Sequence, residues 1–117
     1  MVTLTSILMA ICAVESGGNW QARNGDCWGG LQISSVLVED VNRIMGKAMF
    51  THDDAYNQMD ALFMGHVYLG YYAGRLGHKP TVRDYAGIWR HGLRGYLRGV
   101  DLDTDYIERV NNIVEAQ

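Results

Sequence analysis

Leu4-Thr5-Ser6-Ile7-Leu8-Met9-Ala10-Ile11-Cys12-Ala13-Val14-Glu15-Ser16-Gly17-Gly18-Asn19-Trp20 is the stretch from which the rest of the chain is read. Leu4, Ile7, Leu8, Ile11, Cys12 and Glu15 recur in steps of three and one, which puts them on one face of a helix over roughly residues 4 to 16. The face is apolar until its last member, a carboxylic acid. There the acid loses hydration and meets the negative end of the helix dipole. Both effects favour the protonated form, and a carboxylic acid that keeps its proton near neutrality suits general-acid work.

Working outward, the 117 residues suit one domain, residues 1–117, and the 48% of hydrophobic residues supply a core. Fourteen glycines against one proline point to tight chain reversals and close backbone approaches rather than a proline-rich disordered chain. A formal charge of −3 gives no reason to expect nucleic acid as partner. The charge is uneven: Arg75, Lys79, Arg83, Arg90, Arg94 and Arg98 form a basic stretch, followed by acidic Asp101, Asp103, Asp105 and Glu108. The basic stretch could face an anionic ligand or be a solvated surface.

Cys12 and Cys27 make no disulfide framework, although a single bridge between the helix and the glycine-rich loop is conceivable. His52, His66, His78 and His91 lack metal-ligand spacing, so neither metal nor cofactor is expected. The apolar run Leu4–Val14 is preceded by no Lys or Arg and is interrupted by Glu15, so it reads as a folded helix, not an export signal. It is too short to cross a membrane. A monomer made in the cytoplasm is expected.

The pattern is mainly α, with five to six helices. Residues 17–33 form a loop with Gly17, Gly18, Gly25, Gly29 and Gly30, able to hold at most a short hairpin. Ser34 or Ser35 caps a second helix ending at Gly46. Thr51-His52-Asp53-Asp54 opens a long third helix running to about Leu76. Thr81 with Asp84 opens a fourth, through about Trp89, and Thr104 or Asp105 starts the last.

The segments Ala13-Val14-Glu15-Ser16-Gly17-Gly18-Asn19 and Gly30-Leu31-Gln32-Ile33 resemble the lytic transglycosylase and goose-type lysozyme branch of the lysozyme-like superfamily. Two later segments agree. Ala86-Gly87-Ile88-Trp89-Arg90-His91-Gly92 looks like the family's Ala-x-x-Tyr-Asn-Ala-Gly, and Thr104-Asp105-Tyr106-Ile107-Glu108-Arg109-Val110 looks like its closing helix. The four occur in the family's order and cover most of the chain. The small size and Glu39-Asp40-Val41-Asn42-Arg43-Ile44 are similar to phage-type members. The departures are Trp89 at a tyrosine whose hydroxyl can reach the acid, and Arg90 at an amide near the sugar cleft.

The resemblance implies a lysozyme-like fold and cleavage of the β-1,4 bond between N-acetylmuramic acid and N-acetylglucosamine in peptidoglycan strands. Glu15 would be the general acid. Ordinary hydrolysis needs a second carboxylate about 5 to 9.5 Å away; Asp26 is the best placed in sequence, ahead of Asp40, Asp53 and Asp54. Members that form an anhydro sugar manage with one acid. Gln32 would meet a sugar acetamido or hydroxyl group, Gly29 and Gly30 would let backbone approach the glycan, and Trp28 and Trp89 would stack on sugar faces. Trp20 is expected under the loop. A non-catalytic glycan-binding or phage structural module and a chitin-directed hydrolase are the competing functions. Access to the wall would need a holin, a virion or a fused partner.

Overall fold

The computed structural model describes residues 2–117, which are mainly helical. The order is α1 (Leu4–Ser16), β1 (Arg23–Asn24), β2 (Cys27–Trp28), α2 (Ser35–Met45), a 3-10 turn (His52–Tyr56), α3 (Gln58–Ala73), α4 (Val82–Arg98) and α5 (Thr104–Glu115). The strands form one minimal antiparallel hairpin, with Arg23 opposite Trp28 and Asn24 opposite Cys27. No described helix is long and apolar enough to cross a membrane.

Helix α1 is the hub. Thr3 and Ser6 close a capping box at its start. At its end Gly17 takes a left-handed conformation, φ 65°, and returns its N–H to the last carbonyls. Ile7, Leu8, Ala10, Ile11 and Cys12 are buried, and the helix packs against α3, α4 and α5. The approach to α3 depends on Gly65: a Cβ there would lie 2.7 Å from the Leu8 side chain. Leu8 is fully buried, and truncating such a side chain to alanine costs about 2–5 kcal/mol.

Two helix boundaries differ from the sequence expectation. The expected helix from Thr51 to about Leu76 is two elements. Thr51 and Asp54 do form a capping box, but it opens only the 3-10 turn. Asn57, extended at φ −91° and ψ 122°, then accepts from the Asp60 N–H and caps α3 afresh. A side chain that caps competes with helix continuation. The fourth helix passes Trp89 and runs to Arg98, broken at Gly92, which is non-helical at φ 74° and ψ 163°. The break lets Tyr96 return over the first half of α4. Its hydroxyl donates to Asp84 Oδ1 at 2.6 Å, and its ring fills the space a Cβ on Gly87 would occupy.

The last helix begins at Thr104, as expected, with Asp103 accepting from the Tyr106 N–H as its cap. Cys12 and Cys27 are free thiols. Cys12 is buried under Gly30 and Trp20, whereas Cys27 is half-buried on the hairpin. The bridge considered from sequence is therefore absent.

Candidate active site

A cleft of about 460 Å³ opens where the end of α1, the hairpin and its following loop, α2, α3 and α4 converge. Glu15 lines it, with Gln32, Asp40, Tyr68, Trp89 and Arg90 among its neighbours.

Glu15 occupies the last turn of α1 and is partly buried. The Tyr106 hydroxyl, from α5, donates to its Oε2 at 2.8 Å. Burial pushes the Glu15 carboxyl above the usual carboxylate range. The Tyr106 hydrogen bond and the Arg90 charge oppose that shift, and the Asp103 charge adds to it. Burial and the neighbouring Glu15 push the Tyr106 phenol up as well, so it stays a donor. A carboxyl with a raised pKa, facing a cleft and held by one fixed donor, can deliver a proton to a ligand.

The loop that follows the hairpin is fastened to α1. Ser16 Oγ donates to the Gly30 carbonyl at 2.8 Å, and a Cβ on Gly30 would lie 2.7 Å from Trp20 and 2.8 Å from Cys12 Sγ. Trp20 thus packs under the loop. Gly29 faces inward too, because a Cβ there would fall 1.9 Å from the Ala55 carbonyl oxygen. These two contacts correct the expectation that Gly29 and Gly30 make room for a glycan: their small size serves internal packing. What they position is Gln32. Among the described residues it is one of two non-glycine residues with positive φ, at 57°. Its Nε2 donates to the Gly29 carbonyl at 2.8 Å, and its Oε1 accepts from Asn24 Nδ2 at 2.7 Å. The amide is thereby presented to the cleft in a fixed orientation.

Trp89 and Tyr68 form an aromatic wall, edge to face with centroids 5.7 Å apart. The Trp89 indole donates to the Leu31 carbonyl at 3.2 Å. Burial pushes the Tyr68 phenol up to about 12. Trp28 is outside this wall. Its ring stacks on His52 at 3.6 Å, carries the Arg23 guanidinium 4.6 Å from its centroid, and donates to the Gly25 carbonyl at 2.9 Å. The ring is thus engaged by His52 and Arg23 and is not among the residues lining the cleft.

Asp26 is also corrected. Its side chain is exposed and its Oδ2 accepts from both the N–H and the hydroxyl of Ser35, at 3.0 and 2.9 Å. These bonds hold its carboxyl below the usual range, and it serves the start of α2 rather than the cleft. The carboxylate that shares the cleft with Glu15 is Asp40, from α2. Arg43 donates to its Oδ1 through Nε and a terminal nitrogen, at 3.0 and 2.6 Å. Tyr72 donates to its Oδ2.

Sequence reasoning missed Tyr106 as a partner of the acid. The sequence places it only in the closing helix, and what could have flagged it is the hydroxyl, which a buried ring must satisfy. Here Tyr106 provides the hydroxyl that Trp89 lacks. Arg90 lines the cleft, half-exposed, with its Nε donating to Asp103 Oδ2 at 3.1 Å. Among the described residues, no group of three or more His, Cys, Asp or Glu side chains could hold a metal ion. No family model, curated protein or solved structure matches the chain.

Proposed function

We propose that this chain has a lysozyme-like fold and cleaves the β-1,4 bond between N-acetylmuramic acid and N-acetylglucosamine in peptidoglycan, with Glu15 as general acid. The observation that carries the reading is Glu15 itself: a carboxyl raised by burial, clasped by Tyr106, in a cleft with an aromatic wall and an oriented amide. The four sequence resemblances support the substrate class.

A sugar alkoxide is a poor leaving group, so Glu15 passes its proton to the bridging oxygen as the C1–O bond breaks. Positive charge then develops on the ring carbon and oxygen. The substrate's acetamido carbonyl oxygen forms the new bond to C1. The resulting Glu15 carboxylate next takes a proton from the sugar's 6-hydroxyl, whose oxygen displaces the acetamido group and leaves an anhydro sugar. This route needs one acid. It is favoured over two-acid hydrolysis because Asp26 is bonded to Ser35 at the start of α2, and both Asp40 oxygens are engaged by Arg43 and Tyr72.

The test is digestion of purified cell walls, with mass spectrometry of the released muropeptides. Anhydro ends from the parent and none from Glu15→Gln are expected. Reducing ends would replace this route with hydrolysis. Clearing by Glu15→Gln at the parent's rate would remove the general-acid assignment. Retention on walls without release of fragments by either protein would make the cleft a binding module.

A further inference from the structure

We infer that Arg90 is a specificity residue, reading a carboxylate on the 3-O-lactyl branch of the muramic acid ring and so separating peptidoglycan strands from neutral chitin. The inference rests on the glycan reading of the cleft, and it concerns a residue at which this chain departs from the family pattern.

Among the residues lining the cleft, Glu15, Asp40 and Arg90 carry ionisable charge, and Arg90 is the cation. Asp40 already has a cationic partner in Arg43, 2.6 Å away. Glu15 accepts from the Tyr106 hydroxyl, and burial pushes its carboxyl above the usual range. Among the described residues, neither carboxyl is ion-paired or hydrogen-bonded to the Arg90 guanidinium. Its partner is Asp103, outside the lining, and that contact runs through Nε at 3.1 Å. Among the described residues, the two terminal nitrogens have no hydrogen-bond acceptor. A guanidinium anchored through Nε with free terminal N–H groups suits a carboxylate, whose two oxygens it can meet along one edge. The anchor is firm, because Asp103 is itself fixed: it caps α5 through the Tyr106 N–H at 3.1 Å, and its own N–H donates to His91 Nε2 at 2.8 Å.

The chemistry of the substrate supplies the match. A ring set with its anomeric carbon against Glu15 carries its 3-O substituent two ring carbons away. In muramic acid that substituent is the lactyl branch, and in chitin it is a plain hydroxyl. In strands stripped of peptide the branch ends in its own carboxylate. In stem-bearing strands that carboxyl is an amide, and the nearest carboxylates belong to the stem.

Binding is measured in the Glu15→Gln protein, in which turnover is expected to be slow, by calorimetry against peptide-free strands, stem-bearing strands and chitohexaose. A preference for strands over chitohexaose is expected, weakening with added salt. Adding Arg90→Gln should reduce that preference about tenfold to a hundredfold, the size of a lost charge-assisted hydrogen bond. Arg90→Lys should recover part of it. Loss confined to peptide-free strands places the lactyl carboxylate at Arg90, and loss confined to stem-bearing strands places a stem carboxylate there. A preference that is absent at the outset, or survives Arg90→Gln within about twofold with unfolding midpoints unchanged, overturns the inference. Its failure is separable from that of the proposed activity. A chain that cleaves walls yet keeps its preference without Arg90 loses only this claim. A chain that cleaves nothing yet shows the Arg90 effect loses only the activity.

Discussion

Glu15 and Asp40 are two carboxylates in one cleft, and their surroundings differ in kind. Glu15 accepts one hydrogen bond, from a buried phenol, and burial lifts its pKa. Asp40 receives two N–H groups from Arg43 on one oxygen and the Tyr72 hydroxyl on the other. One acid is equipped to hold and release a proton. The other is tied down by Arg43 and Tyr72 and braces α2 against α3. Both side chains end in a carboxyl group, so environment sets them apart.

The deepest break in this comparison is Glu15→Gln. Wall cleavage should fall by about 10²- to 10⁴-fold, the usual worth of general-acid help, while the circular dichroism spectrum stays that of the parent. Asp40→Asn should cost much less, no more than about fivefold, as befits a partly exposed ion pair. If it instead matches Glu15→Gln in steady-state turbidity assays, the two acids are partners and the one-acid route fails.

Tyr106→Phe sharpens the contrast through pH. The hydrogen bond stabilises ionised Glu15, so removing it raises the carboxyl further. The alkaline limb of the rate profile should move up, by about one pH unit at most for a single hydrogen bond. A limb that moves down would mean Tyr106 stabilises the neutral acid.

The smallest effect is on stability. The folded pKa of Glu15 lies above its unfolded value, so the unfolded chain releases this proton more readily. The parent therefore loses stability as pH rises from the ordinary value of 4.5 up to the folded one, and beyond it the deficit is constant. Glu15→Gln removes that loss. Its thermal midpoint relative to the parent should rise across the same window, and a difference that shrinks there would contradict the burial of the acid.

What the sequence disclosed follows from locality. The α1 stripe, its Gly17 stop and the Ser34 cap are settled within one or two turns of chain, and the structure places them as expected. Asn57 could have been read as a cap, but the capping box at Thr51 a few residues earlier masks it. The break at Gly92 depends on Tyr96 reaching Asp84 and covering Gly87, a tertiary contact without periodic trace. In the cleft, Glu15, Gln32, Trp89 and Arg90 were legible, because each departs from its neighbours in type. Asp26 and Trp28 were misplaced for one reason: residues in a glycine-rich loop can face either side, and here Ser35 and His52 hold them outside. Asp40 was ranked below Asp26 because nothing local in α2 reveals that Tyr72 and the cleft lie beside it.

The clasp between Tyr106 and Glu15 joins positions 91 residues apart. During synthesis the acid leaves the ribosome long before the phenol that steadies it. The early helix alone therefore has a carboxyl open to water and ionised like any other. The pair forms only when α5 docks on α1, so the surroundings of the acid are completed last.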